Sequence, residues 1–297
     1  MQPATTNTLK VPGATLYYEV RGSGPILLLI GGGVYDAAGY AGLAQQLADR
    51  YTVVTYDRRG NSRSPLDGPP EPQSIEVHGG DAYRILDAVG VTGDEPAYVF
   101  GNSSGAEIGL ELAARHPELV RTLVAHEPPV FELLPDRDHW RALLQRVEET
   151  FAREGAGPAG QLFSAGLQMR GGESVQGEAA DGQQERIPGG AGAPQGELGL
   201  EMVAMLARFE KNMVFFIGYE VPPFGRYVPD IATLKTSPVR IVPAAGSLSA
   251  GEPPHRAALA LAEQLGTEPV IFPGDHGGFG AESEAFAARL REVLSGS

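Results

Sequence analysis

The chain has 297 residues, 42% of them hydrophobic, a formal net charge of −14 and no cysteine. That length admits one large α/β domain or two small ones, and the lack of cysteine excludes disulfides, thiolate metal sites and cysteine nucleophiles together. The acidic balance disfavours a nucleic-acid or anionic-membrane partner, which would want a basic face; no run of about 18 apolar residues argues for a membrane span; and Met1–Asn7 lacks the basic start and apolar core of a secretory signal, so a cytoplasmic protein is expected.

Ala14–Val20 alternates polar and apolar residues and reads as the first strand. Pro25–Ile30 is a continuous apolar run, as expected of a strand buried on both faces. Tyr40–Arg50 has helical spacing, Tyr51–Asp57 reads as a strand, and Ile75–Val89 is helical with apolar residues at Ala82, Ile85, Leu86 and Val89. The strand Ala97–Phe100, the helix Ser104–Arg115 and the strand Val120–Ala125 follow. Such alternation predicts a mainly parallel sheet covered on both sides. The rhythm then changes. Asp136–Arg153 is amphipathic, a short helix is predicted over Ala159–Met169, and Glu197–Tyr219 is helical again. Residues 171–199, with 9 glycines in 29 positions, read as a long mobile loop. The sheet resumes at Val239–Pro243, followed by a helix over His255–Leu265, a strand at Val270–Phe272 and a last helix at Ser283–Leu294. A core of residues 1–130 and 230–297 is expected, with a helical lid over 131–229 that shapes a pocket and excludes water.

Chemistry is concentrated at Gly101-Asn-Ser-Ser-Gly105, between a strand and a helix. A serine at the apex of such a turn sits in a strained conformation, so small residues must stand two positions to either side. The turn lifts the Ser103 hydroxyl above the sheet edge, beside a helix N-terminus that stabilises developing negative charge. A serine nucleophile needs a base. His276, in the glycine-rich loop after the last strand, emerges at the same edge. His78, His116, His139 and His255 fall on helices or their ends, where structural roles are expected. The imidazole needs a carboxylate to orient it. Glu127, at the tip of the strand before the lid, and Glu252, late in the loop after Pro243, are the two candidates. Position favours Glu127, which Pro128 and Pro129 hold out of helix. His126 beside it points to the opposite face and is expected to be structural or pocket-lining.

An oxyanion hole needs two backbone amides. Ser104 supplies one; the loop Gly31-Gly-Gly-Val-Tyr-Asp36 supplies the other, with Gly33 the first choice and Val34 the second. A dinucleotide fingerprint fails there, because Asp36 stands where the third glycine should be, and no phosphate loop or His-Glu-x-x-His metal motif is present. No metal and no cofactor are expected. Asp57-Arg-Arg-Gly-Asn-Ser-Arg-Ser64 reads as a turn held by an Asp–Arg pair. Gly32, Val34, Pro128, Trp140, Met202, Phe209, Met213 and Phe279 are candidate pocket-lining residues.

These pieces, in this order, resemble the α/β-hydrolases from about residue 10 to the C-terminus. The resemblance implies a mostly parallel eight-stranded sheet with helices on both faces and a helical lid between strands 6 and 7. It also implies a triad of Ser103, Glu127 and His276 and no cofactor. Gly31-Gly32 replaces the family's usual His-Gly, and the acid after the seventh strand is missing. In placing it after the sixth, the chain resembles zearalenone lactonase-like members, which implies an ester or lactone substrate. Ser103 argues against the dehalogenases and epoxide hydrolases of this fold, which use aspartate. Carbon–carbon bond hydrolysis, lyase or perhydrolase chemistry on the same triad, and a non-catalytic receptor, are the alternatives. A small-molecule partner is expected, and the oligomeric state stays open between a monomer and a homodimer.

Overall fold

The computed structural model describes residues 4–167 and 195–296. Eight strands form one sheet: β1 (Thr5–Val11), β2 (Ala14–Arg21), β3 (Ile26–Ile30), β4 (Thr52–Tyr56), β5 (Ala97–Asn102), β6 (Val120–His126), β7 (Arg240–Gly246) and β8 (Val270–Phe272). Their order is β1-β2-β4-β3-β5-β6-β7-β8. The β1–β2 and β2–β4 pairs are antiparallel, and β4, β3, β5, β6, β7 and β8 form a parallel array. The inner parallel strands are largely buried on both faces, and Leu27, Leu28, Leu29 and Ile30 are at most 1% exposed, which is why β3 shows no alternation. β1 is an addition to the seven strands legible in the sequence.

Helices α1 (Ala41–Leu47), α2 (Ile75–Ala88), α3 (Ser104–Arg115), α4 (Arg137–Glu154), α5 (Ala156–Leu167), α6 (Gln195–Phe215), α7 (Val221–Phe224), α8 (Ile231–Thr236), α9 (Pro253–Leu265), α10 (Gly278–Ala281) and α11 (Ser283–Ser295) complete the described chain. One core layer joins the sheet to α1 and α11 through Leu43, Leu47, Phe286 and Leu290. The other joins it to α2, α3 and α9 through Ile85, Ile108, Leu112 and Leu261. Each such side chain stabilises the fold by roughly 1.5–3 kcal/mol when fully buried. Between β6 and β7 the described residues are helical, with no strand from 131 to 229. A π-helical turn, Phe216–Glu220, links α6 to α7. The predicted loop 171–199 lies largely outside the described residues. Among those residues, no helix is long and apolar enough to cross a membrane.

Candidate active site

The parallel order brings the C-terminal ends of β3, β5, β6, β7 and β8 to one edge, and the candidate residues follow those ends. Ser103 joins β5 to α3 with φ 55° and ψ −130°, a strained conformation for a non-glycine residue. Gly101 and Gly105 are obligatory: a Cβ on Gly101 would fall 2.4 Å from the Gly105 carbonyl oxygen, and one on Gly105 2.1 Å from that of Ile30. Gly32 packs directly on the turn, its would-be Cβ 2.6 Å from the Ser103 Cβ. Asn102 ties the turn down. Its Nδ2 donates to the His126 Nδ1 and to the His276 carbonyl oxygen, both at 3.0 Å, and Tyr40 donates to its Oδ1 at 3.3 Å.

Glu127 follows β6 with φ 48°, a second strained non-glycine residue. Its side chain is fully buried, and its Oε2 lies 2.6 Å from the His276 Nδ1. Its Oε1 accepts from the Gly246 N–H at 2.8 Å and from the Ser249 hydroxyl, with the His255 Nδ1 at 3.6 Å. Burial alone would raise this carboxyl. The hydrogen bond and charge of His276 outweigh burial and hold the carboxyl at about 2. An ionised Glu127 accepts from the His276 Nδ1–H, which leaves Nε2 with a lone pair. Ser103 and His276 line one cavity. The Ser103 hydroxyl makes no hydrogen bond to a described residue; in hydrolases such a bond often tightens only around substrate. Glu252 instead precedes α9 beside a different hollow, with Asp136, Trp140 and Arg256.

Ser104 is the first residue of α3, so its N–H has no partner within the helix. The Gly33 N–H donates to the Ser104 hydroxyl at 3.1 Å. His126 is completely buried against Phe100, Phe272 and Phe286, and burial pushes it down to about 4. It is structural. His78, His139 and His255 stand on helices and His116 at a helix end, as the spacing predicts.

Residues 25–173 match the family described as alpha/beta hydrolase fold. Over 291 residues, covering 97% of this chain and 95% of the relative, the sequence is 39% identical to the uncharacterized hydrolase YraK of Bacillus subtilis (strain 168). The chain belongs to the α/β-hydrolase family. Among solved structures, it is similar to a thermophilic esterase from Thermogutta terrifontis. The TM-score is 0.70 and the identity 18%, covering 99% of this chain and 98% of that one. It is also similar to the enol-lactonase from Burkholderia xenovorans LB400, at a TM-score of 0.63 and 18% identity, covering 97% of this chain and 100% of that one. At those identities the likeness speaks for the fold alone.

Of the lining residues expected from sequence, Gly32, Val34 and Met213 face the cavity of this α/β-hydrolase. Trp140 does not: it stacks on Phe131 at 4.5 Å within the core. Phe279 stacks on Tyr40 at 4.4 Å in the opposite core layer. Pro128 and Phe209 are absent from the wall, where Pro129 and Phe216 stand instead, and the Met202 side chain lies outside the described residues. The wall's further apolar residues include Phe131, Leu144, Phe163, Val221 and Phe224.

The turn after β4 is held by Asp57, which receives the Arg63 Nε at 2.7 Å and Nη2 at 2.9 Å, and by Arg59 on Asp81 at 2.6 Å. Arg58 does something else. Its buried guanidinium lies behind the serine turn, with Nη2 3.1 Å from the Glu220 Oε2 and bonded to the Gly33 carbonyl, and Nη1 3.4 Å from the Ser104 hydroxyl. Removing one partner of such a pair strands the other charge. Arg58→Met is therefore expected to lose about 3 kcal/mol of stability by urea unfolding. Adding Glu220→Gln should recover part of it; no recovery would mean the pair is not what Arg58 stabilises.

Asn212 of α6 grips the same loop. Its Nδ2 donates to the Val34 carbonyl and the Ser62 hydroxyl at 2.9 Å, and its Oδ1 accepts from the Ser62 N–H at 2.7 Å. Arg208 adds an ion pair to Asp36 at 2.9 Å. Asn212→Ala is expected to lower kcat on an ester by about tenfold, because it loosens the loop that carries Gly33, the expected oxyanion donor. Steady-state kinetics check it; a change confined to KM would assign Asn212 to substrate binding alone.

Proposed function

We propose that the protein is a serine hydrolase of apolar small-molecule carboxylic esters or lactones. Ser103 attacks the carbonyl carbon while the His276 Nε2 takes its proton, and Glu127 holds the imidazole in the required tautomer and balances its charge. The oxyanion is received by the Ser104 and Gly33 amides. To serve, the Gly33 amide exchanges a neutral hydroxyl for an anion, and hydrogen bonds to ions are roughly twice as strong as neutral ones. The imidazolium then protonates the leaving alkoxide. Water, deprotonated by His276, attacks the acyl-enzyme and releases the acid. Residues 131–229 act as a lid that keeps other water out. No metal or cofactor takes part in this scheme.

The observation that carries the reading is the 2.6 Å contact between the Glu127 Oε2 and the His276 Nδ1, with His276 and Ser103 on one cavity wall. The predominantly apolar wall supports a hydrophobic substrate. The enol-lactonase and the esterase among the similar structures are consistent with either bond. A fluorophosphonate should label the wild type at Ser103, and a panel of p-nitrophenyl esters of increasing chain length beside lactones should find turnover. Labelling with no turnover on any ester or lactone, and product analysis revealing a cleaved carbon–carbon bond, would replace this reading.

A further inference from the structure

One wall residue is not apolar. Glu107 stands one turn along α3 from the nucleophile position, its N–H 3.4 Å from the Ser103 carbonyl oxygen. It is fully buried, and neither carboxyl oxygen has a hydrogen-bond partner among the described residues. It lines the same cavity as Ser103, whose wall also includes Leu144, Val221, Phe224 and Gly225. Nine in ten or more buried polar groups find partners, so an orphan carboxyl in a binding wall calls for one from whatever enters. Burial raises this carboxyl well above the ordinary range, against the pull of Arg58. A carboxyl buried without a partner to offset its charge favours the neutral acid, which has one O–H donor and one carbonyl acceptor. A cation entering here would meet Arg58 and an apolar wall. An anion would find the nearby buried cation, Arg58, already paired with Glu220.

We propose that Glu107 forms a recognition subsite for a neutral group that both accepts and donates hydrogen bonds, a carboxamide or its equivalent, carried on the acyl part of the substrate. This rests on ester or lactone cleavage at Ser103. The acyl part stays tethered to that serine through both half-reactions, so a subsite one turn away serves it throughout. One turn of helix rises about 5.4 Å, a span that a short methylene spacer covers.

The test compares p-nitrophenyl 4-carbamoylbutanoate with its alkyl isostere, p-nitrophenyl 5-methylhexanoate. The wild type should favour the carbamoyl ester in kcat/KM by about tenfold or more, since a site built to hydrogen-bond a group discriminates against the analogue lacking it. Glu107→Gln, which keeps a donor and an acceptor, should retain the preference, and Glu107→Leu should reverse it. A wild type that favours the alkyl ester, or a leucine variant that slows both esters equally, overturns the proposal. Calorimetry on Ser103→Ala reads the subsite without turnover. There 5-oxohexanamide should bind more tightly than 6-methylheptan-2-one. Equal binding, or tighter binding of n-hexylammonium than of the amide, also overturns it. A preserved amide preference with no ester cleaved would sink the hydrolase reading and leave the subsite standing.

Discussion

Replacing Ser103 with alanine is expected to lower kcat on an activated ester by about 10⁴- to 10⁶-fold while leaving the fold intact. Without the hydroxyl no acyl-enzyme forms, and what survives is the help that the oxyanion donors and the cavity give to attack by water. The Ser103 hydroxyl bonds to no described residue, so its loss should change unfolding stability by no more than about 0.5 kcal/mol. A companion separates strain from chemistry. Ser103 holds φ 55° and ψ −130°, a conformation that costs a non-glycine residue about 1–3 kcal/mol. Ser103→Gly should therefore be equally inactive yet more stable than the alanine variant by about 1 kcal/mol. Ester hydrolysis and urea unfolding on the three proteins decide it. Wild-type turnover by the alanine variant would remove Ser103 from the reaction.

Most of the sheet was legible because its inner parallel strands are largely buried on both faces and show as runs rich in apolar residues. β1 was not. Thr5–Val11 is an edge strand in which only Val11 is buried, and its polar residues carry no period that hydrophobicity could reveal. It exists through its antiparallel pairing with β2 across the tight turn Pro12-Gly13, where Val11 faces Ala14. The last long lid helix was legible as a single run to Tyr219, but it ends at Phe215 and continues as a π-helical turn. The extra residue per turn shifts the facing side chains. Phe216 then reaches the cavity, and Glu220 reaches Arg58, whereas Phe209, on the sequence stripe, does not line the wall.

Within the site, Ser103 and His276 were legible from glycine spacing and chain order, and Glu127 from its place at a strand tip ahead of two prolines. Its left-handed backbone was not, since nothing in His126-Glu-Pro-Pro marks one. Arg58 and Glu107 were hidden for a common reason. A charge in a turn or on a helix ordinarily faces water, yet α3 is enclosed by the sheet on one side and α2 and the lid segment on the other, so Glu107 and Glu111 lie inside. Asn102, to which the sequence assigns no role, ties the serine turn to the end of β6 and to the loop of His276. The supports of Glu127, Gly246 and Ser249, lie in the very loop that lacks the usual acid.

The second large effect is expected at Glu127. Glutamine there keeps the shape, and its Oε1 can still accept from the Gly246 N–H and the Ser249 hydroxyl. That assignment turns the Nε2 amide toward the His276 Nδ1, where a donor stands in place of an acceptor. The imidazole must then carry its proton on Nε2 and cannot take one from Ser103, so kcat should fall by about 10⁴-fold. Glu252→Gln should stay within a few-fold of wild type; the reverse pattern would reassign the acid. Stability adds an independent readout. The Glu127 carboxyl is held at about 2 in the folded chain against about 4.3 in an unfolded one. A depressed folded value means that the unfolded chain binds the proton first as pH falls. The contribution, roughly 3 kcal/mol, is therefore complete above about pH 4.3 and lost as pH falls towards 2. Urea midpoints across that window should decline less steeply for Glu127→Gln than for the wild type. Parallel declines would mean that Glu127 is not ionised beside His276, and with that the tautomer it imposes would be lost.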